Sequence, residues 1–186
     1  AFSRAVAADS SFALAWYRLS VAARWTDAGI DPDRAADHAF ALARRLPPRD
    51  RRLLEAYDEF IRPSGEADEA ERRLRAIVTE YPDDADGWFW LGEVLFHTNP
   101  ERGRPILEAR EPFRRAAELE PGSTESIGHL VYLAAFAEDR PELDSLLTRM
   151  IQRSPAAGGH RDQFVVMREA LTADPARWRR VVDSLR

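Results

Sequence analysis

Apolar residues recur at helical spacing along the chain, as at Leu42 and Leu46 and again at Leu74, Ile77 and Val78. Residues three or four positions apart share one face of an α-helix, whereas a half-buried strand needs an apolar residue at every second position. No run in the sequence alternates long enough to suggest such a strand. The pattern therefore predicts an all-α protein, and no apolar stretch is long enough to cross a lipid bilayer.

One predicted helix pair carries a distinctive order of large and small residues. Its first helix contains Trp88-x2-Leu91-Gly92-x2-Leu95, its second contains Ala109-x3-Phe113-x2-Ala116, and the pair closes at Pro121. Small residues such as Gly92 and Ala109 allow two antiparallel helices to approach closely, and a proline prevents the second helix from continuing. This order and spacing resemble those of the tetratricopeptide repeat (TPR), a helix pair that recurs about every 34 residues.

Weaker copies of the same pattern run along the chain. The prolines that close successive copies, Pro48, Pro82, Pro121 and Pro155, are separated by 34, 39 and 34 residues. The resemblance implies an all-α, TPR-type helical solenoid, in which antiparallel helix pairs stack as a right-handed superhelix. The alternative is an ordinary helical bundle whose Trp and Pro positions match the repeat by coincidence.

The repeat pattern divides the sequence into one continuous array over residues 1–186. We expect residues 1–10 to be the second helix of a truncated repeat, and the sequence, which does not begin with Met, to be a piece of a longer protein. Four repeats are predicted at 13–50, 51–84, 85–123 and 124–157. Residues 158–186 lack the repeat pattern and are predicted to form a C-terminal capping helix pair.

Three local features depart from an ideal repeat. The turns at 26–33 and 97–105 are longer than usual, and we interpret them as plain loops rather than as a binding rim. Pro112 falls inside a predicted second helix, where it should kink that helix or delay its start. Phe40 and Phe113 occupy equivalent positions, and both are predicted to fill the space between repeats.

Charge is abundant but scattered. Charged residues make up 32% of the chain, the formal net charge is -5, and all 27 basic residues are arginines. Several arginines follow an acid by one helical turn, as Arg73 follows Glu69 and Arg115 follows Glu111, which is typical of a solvated helix face. The chain lacks the continuous basic stripe expected of a nucleic-acid-binding repeat protein.

The sequence offers little chemistry beyond binding. It contains no cysteine, which excludes disulfides and is compatible with the cytoplasm, and the arginine usage hints at a bacterial origin. Glu93 and His97 lie one helical turn apart, as two metal ligands could, but the sequence does not identify a third ligand, and the four histidines show no ligand spacing. We therefore expect no catalytic residue, no metal and no cofactor.

The TPR resemblance also implies a binding groove lined by the first helix of each pair. Transferred by position, the candidate groove residues are aromatic at both ends and charged in the middle, which suits an extended or helical peptide with apolar anchors and some charge. They are Tyr17, Arg24 and Trp25 in the first repeat, Arg52, Glu55, Glu59 and Arg62 in the second, Phe89, Glu93, Phe96 and His97 in the third, and Tyr132 and Phe136 in the fourth.

Two stretches, Leu46–Ala56 and Tyr81–His97, further resemble the TPR regions of bacterial signalling proteins that carry serine/threonine kinase or transcriptional activator domains. The resemblance implies a regulatory, cytoplasmic scaffold that binds a protein or peptide partner and contacts neither nucleic acid nor membrane. Two alternatives remain: a structural or self-associating spacer array, and an RNA-binding helical repeat, against which the acidic balance counts.

Overall fold

The structure is a computed structural model that describes residues 1–25, 29–62 and 66–153, together with residues 166–168 and 179. Every regular element in these ranges is helical, which confirms the predicted all-α class. The predicted capping pair at 158–186 lies almost entirely outside the described residues, as do Thr26 to Ala28 of the first long turn. The chain forms two compact units, Ala1–Val94 and Leu95–Arg186.

The first unit contains five helices and most of a sixth. They are α1 (Phe2–Ala8), α2 (Ala13–Trp25), α3 (Pro32–Leu42) with a 3₁₀ turn at Ala43–Arg45, α4 (Pro48–Ile61), α5 (Ala67–Glu80) and α6 (Ala85–Thr98), which continues into the second unit. Within this unit α1 packs on α2, α2 on α3, α3 on α4 and α4 on α5. Each helix from α1 to α4 therefore contacts the next one along the chain, as expected of a helical repeat.

Helix starts in the first unit follow from local sequence. The side chain of Asp31 accepts hydrogen bonds from the backbone N–H groups of Asp33 at 2.9 Å and Arg34 at 3.2 Å, and Pro32 occupies the first position of α3. Pro48 likewise opens α4. An acidic cap satisfies N–H groups that lack a helical partner, and proline fits where no N–H is needed.

Trp16 near the start of α2 and Trp88 near the start of α6 make the same side-chain hydrogen bond. The indole N–H of Trp16 donates to the carbonyl of Ser10 at 2.9 Å, and that of Trp88 donates to the carbonyl of Pro82, also at 2.9 Å. Both bonds span six residues and join the first helix of a repeat to the segment that closes the helix before it. The repeat is therefore visible in its polar contacts as well as in its apolar pattern.

Replacing Trp88 with Phe should remove this bond while keeping an aromatic ring, and we expect the free energy of unfolding to fall by about 0.5–1.5 kcal/mol. Trp16→Phe should cost a similar amount because its bond is equivalent. Urea denaturation followed by far-UV circular dichroism measures both effects. If neither substitution changes the free energy of unfolding, the shared bond contributes nothing to stability.

The second unit begins within α6 and continues with a 3₁₀ turn (Ile106–Ala109), α7 (Arg110–Leu119), α8 (Thr124–Phe136) and α9 (Arg140–Arg153). Helix α8 packs against both α7 and α9. Pro112 lies in the first turn of α7, where its missing N–H costs nothing. Of the two predicted effects of Pro112, the structure thus shows a late helix start.

The long turn before α7 is built around a buried asparagine. The side-chain nitrogen of Asn99 donates to the carbonyl of Pro105 at 3.1 Å and to Glu108 at 3.2 Å, and Arg102 donates to its side-chain oxygen at 2.8 Å. Asn99 is fully buried. These internal bonds support the interpretation of 97–105 as a structural loop.

The small residues of the repeat pattern are buried. Of the two phenylalanines predicted to fill the space between repeats, one is buried and the other is exposed. Ala109 is buried and Phe113 is fully buried, as predicted, and Ala36 and Ala70 are buried as well. Phe40 is 45% exposed, so the prediction that it fills the space between repeats is wrong. Helix α3 buries only alanines, which leaves its single phenylalanine on the surface.

The surface charges pair largely within helices. Arg73 and Arg72 both bond to Glu69, at 2.7 Å and 2.6 Å, and these bonds lower the pKa of Glu69 to about 2. Glu111 pairs with Arg114 at 2.8 Å and Arg115 pairs with Glu118 at 3.0 Å. These two pairs replace the predicted pair of Glu111 with Arg115. Throughout the described ranges no helix is both long and apolar enough to span a membrane.

Candidate functional site

The charged residues predicted to line the groove are engaged in internal pairs. Arg62 binds Asp58 at 2.7 Å and Asp37 at 2.6 Å, and these hydrogen bonds raise the pKa of its guanidinium above the usual value. Glu55 lies 3.6 Å from Arg73. The other charged candidates of this repeat behave alike: Arg52 pairs with Glu80, and Glu59 accepts the backbone N–H of Glu66 at 2.8 Å.

Tyr17 belongs to the core rather than to a surface. It is 1% exposed, and its hydroxyl accepts a hydrogen bond from the indole N–H of Trp90 at 2.5 Å. Burial, followed by the nearby charge of Asp86, raises the pKa of Tyr17 well above its usual value. Its placement in the groove is therefore corrected, because the ring packs inward against Tyr57 at a centroid distance of 5.2 Å.

Trp90 and Tyr57 complete a buried aromatic cluster that the sequence did not reveal. Their ring centroids lie 4.6 Å apart. The Tyr57 hydroxyl lies 2.8 Å from Ser20 Oγ and accepts a bond from Arg24 Nε at 3.2 Å, so Arg24 reaches the same cluster from its edge. These side chains satisfy one another's polar groups and stabilise the first unit.

The groove residues predicted on α6 differ widely in exposure. Glu93 is 3% exposed, which corrects its placement on an open surface, and Phe89 is half-buried beside Trp90. Phe96 is also half-buried and His97 is exposed. In the second unit, Phe96 packs edge-to-face with Phe113 and His129, so it serves the core at least as much as a surface.

The exposed aromatic residues among the candidates are Trp25 at the end of α2 and two residues of α8. Trp25 is 51% exposed, Tyr132 is 37% exposed and Phe136 is 65% exposed. Tyr132 and Phe136 lie one turn apart, with Ala135 exposed beside them and Gly128 half-buried one turn earlier. We call Gly128, Tyr132, Ala135 and Phe136 the α8 aromatic face. No Asp, Glu, Arg or Lys follows Glu125 on this helix.

His129 is a further residue that the sequence did not single out. It is 8% exposed, stacks on Phe113 at a centroid distance of 4.4 Å and 11°, and holds its Nδ1 atom 2.9 Å from the carbonyl oxygen of Glu125. A ring nitrogen of His129 lies within 4.8 Å of one of His97. The proximity of these histidines on two helices supplies what the sequence could not: a second imidazole near His97.

No family model and no curated protein sequence matches this chain. Among solved structures it is similar to TTC0263, a thermophilic TPR protein of Thermus thermophilus, with a TM-score of 0.53 and 16% identity over 93% of this chain and 98% of that one. It is also similar to YrrB, described as a TPR protein with an unusual peptide-binding site, with a TM-score of 0.49 and 19% identity over 83% of this chain and 75% of that one. The likeness to TTC0263 confirms the TPR-type helical solenoid fold.

Proposed function

We propose that this chain is a protein-interaction scaffold whose α8 aromatic face binds an apolar peptide segment of a partner protein. This face is the observation that carries the proposal. It exposes Phe136 and part of Tyr132, one turn apart, on a helix without Asp, Glu, Arg or Lys beyond Glu125. In a chain that is 32% charged, such an exposed helix face is unusual, and faces of this kind mark interaction sites.

The chemistry of the face favours a peptide over a small polar ligand. Tyr and Phe bury much apolar area on binding while losing few rotatable bonds, and for that reason aromatic side chains dominate many interfaces. Gly128 and Ala135 beside them leave room for a partner's side chains to approach the helix backbone. We expect the partner segment to be extended or helical and to present apolar residues at this face.

The charged groove residues make a smaller contribution in this proposal than the sequence suggested. Arg52, Glu55 and Arg62 already hold partners within the first unit, so a peptide charge would have to displace them. Replacing one exposed or half-buried ion pair with another changes the free energy little. Specificity should therefore depend on apolar anchors more than on charge.

The wider context is part of the proposal as well. The similarity of Leu46–Ala56 and Tyr81–His97 to TPR regions of bacterial signalling proteins favours a regulatory segment of such a protein, acting in the cytoplasm. The second candidate is self-association, because the α8 aromatic face could equally bury itself against another copy of the chain. An RNA ligand is disfavoured by the net charge of -5.

The test is selection of binding peptides from a random phage-displayed library, followed by fluorescence anisotropy with the selected synthetic peptide. We expect selected peptides to be rich in apolar residues, and a Tyr132→Ser/Phe136→Ser variant to bind them at least about tenfold more weakly. Phe40→Ser, which removes an exposed aromatic ring from another helix, is the matched control and should bind normally. Far-UV circular dichroism verifies that all variants remain helical.

Two outcomes would overturn this function. If no peptide is selected above background, or if the double variant binds as well as Phe40→Ser does, the α8 aromatic face is not a peptide site. Sedimentation velocity across a concentration series distinguishes self-association, the second candidate, from peptide binding. A mass that rises with concentration in the parent chain, and not in the double variant, would assign the face to a second copy instead.

A further inference from the structure

Two histidines of the second unit lie side by side near the end of α6. Their ring centroids are 6.2 Å apart and the ring planes meet at 83°. One ring nitrogen of His97 lies within 4.8 Å of one ring nitrogen of His129. Two nitrogens bound to one tetrahedral zinc ion lie roughly 3.3 Å apart, given bonds of about 2.0–2.1 Å. His97 is exposed and is the next-to-last residue of α6, so a small side-chain rotation can bring its nitrogen to a shared ion.

His129 is held in the orientation that a metal ligand needs. Its Nδ1 atom lies 2.9 Å from the carbonyl oxygen of Glu125, and because a carbonyl can only accept, Nδ1 carries the proton. In the neutral ring the lone pair then belongs to Nε2, the atom that would bind the ion. The Nδ1–H bond and the stacking on Phe113 fix the tautomer and the plane of the ring, as outer-shell partners do in metal sites.

The carboxylate of Glu93 stands one turn before His97 on the same helix. Residues at this spacing share a helix face, and a carboxylate oxygen of Glu93 lies within 4.8 Å of a ring nitrogen of His97. Glu93 is only 3% exposed. A bound dication would add to the interactions that compensate the charge of this buried carboxylate.

We propose that His97 and His129 bind a zinc ion, with Glu93 supplying a carboxylate oxygen from the preceding turn of α6. Imidazole and carboxylate ligands suit a divalent transition metal, and zinc imposes little geometric demand of its own. Three protein ligands leave one coordination position for water or for a side chain of a partner. This site differs from the α8 aromatic face and does not depend on the proposed peptide binding.

The experiment is isothermal titration of ZnCl₂ into the metal-stripped full chain, with cobalt substitution as the spectroscopic readout. We expect one zinc ion per chain, and a Co²⁺ spectrum with the visible bands of a tetrahedral site. His97→Ala, at an exposed position, should weaken zinc binding by at least about tenfold. His129→Phe keeps a ring to stack on Phe113 but lacks a ligand atom, and should weaken binding as much.

The control is His38→Ala, which removes an exposed histidine of α3 that stacks on Trp16 at a centroid distance of 4.4 Å. We expect this variant to bind zinc with unchanged affinity. The proposal is overturned if the parent chain shows no binding of one zinc ion. It is equally overturned if His97→Ala retains the parent affinity, since the ion would then bind elsewhere.

Discussion

Phe113→Ala should lower the free energy of unfolding by about 3–5 kcal/mol, the largest effect expected of any single truncation among the described residues of the second unit. Phe113 is fully buried. Its ring stacks on His129 at a centroid distance of 4.4 Å and packs edge-to-face with Phe96 at 6.2 Å. Truncation therefore removes apolar burial and leaves a cavity that surrounding helices can close only in part.

The matched control for this prediction is Phe136→Ala, the same chemical change at a position that is 65% exposed. It should change stability by no more than about 0.5 kcal/mol. Urea denaturation monitored by circular dichroism measures both variants. Equal losses, or a loss below about 1 kcal/mol for Phe113→Ala, would show that the packing of this ring is not what stabilises the unit.

Among the polar residues that the structure describes in the first unit, Asp84 should be the most damaging to replace with Ala, at about 2–3 kcal/mol. Asp84 directly precedes α6 and is 1% exposed. One of its carboxylate oxygens accepts the backbone N–H of Gly87 at 3.1 Å and lies 2.8 Å from a guanidinium nitrogen of Arg49. The substitution removes a helix cap and an interhelical ion pair together.

Asp84→Asn separates these two contributions. Asparagine caps a helix about as well as aspartate, so this variant should keep the bond to Gly87 and lose only the charge that faces Arg49. Because Arg49 is partly exposed and can turn to water, we expect a loss of about 1 kcal/mol, smaller than that of the Ala variant. Thermal and urea unfolding compare the two. If Asn costs as much as Ala, the cap contributes nothing.

The apolar repeat made much of the fold predictable. The order of Trp88, Leu91 and Gly92, with a proline closing each copy, requires only that small residues meet large ones at regular intervals. The structure buries Leu91 and Leu95 almost completely and repeats the indole bond of Trp88 at Trp16. Such local regularity is visible in one sequence because each repeat packs mainly on its neighbours.

The polar contacts of the candidate site were less predictable because they join distant residues. Tyr17 was expected on a surface, but its hydroxyl meets the indole of Trp90, which is 73 residues away in the chain. Arg62 and Arg52 find partners on neighbouring helices, 25 and 28 residues away. Only pairs one helical turn apart have a geometry that the sequence itself specifies.

The repeat interval in the sequence does mark His129 as a core residue. It follows Trp90 by 39 residues, the same interval that separates Pro82 from Pro121. Both rings are buried and pack on aromatic neighbours. Repeat spacing therefore identifies His129 as the counterpart of a core Trp, although it does not reveal that its ring nitrogen lies close to that of His97.

The central claim is that the α8 aromatic face is the surface that contacts a partner, and photo-crosslinking tests it most directly. A benzophenone amino acid is placed at position 136 or, as a control, at position 40, and each chain is irradiated with the selected peptide. We predict a crosslinked product, located by mass spectrometry, from position 136 and none from position 40. Crosslinking at position 40 alone, or equally at both positions, would contradict the account.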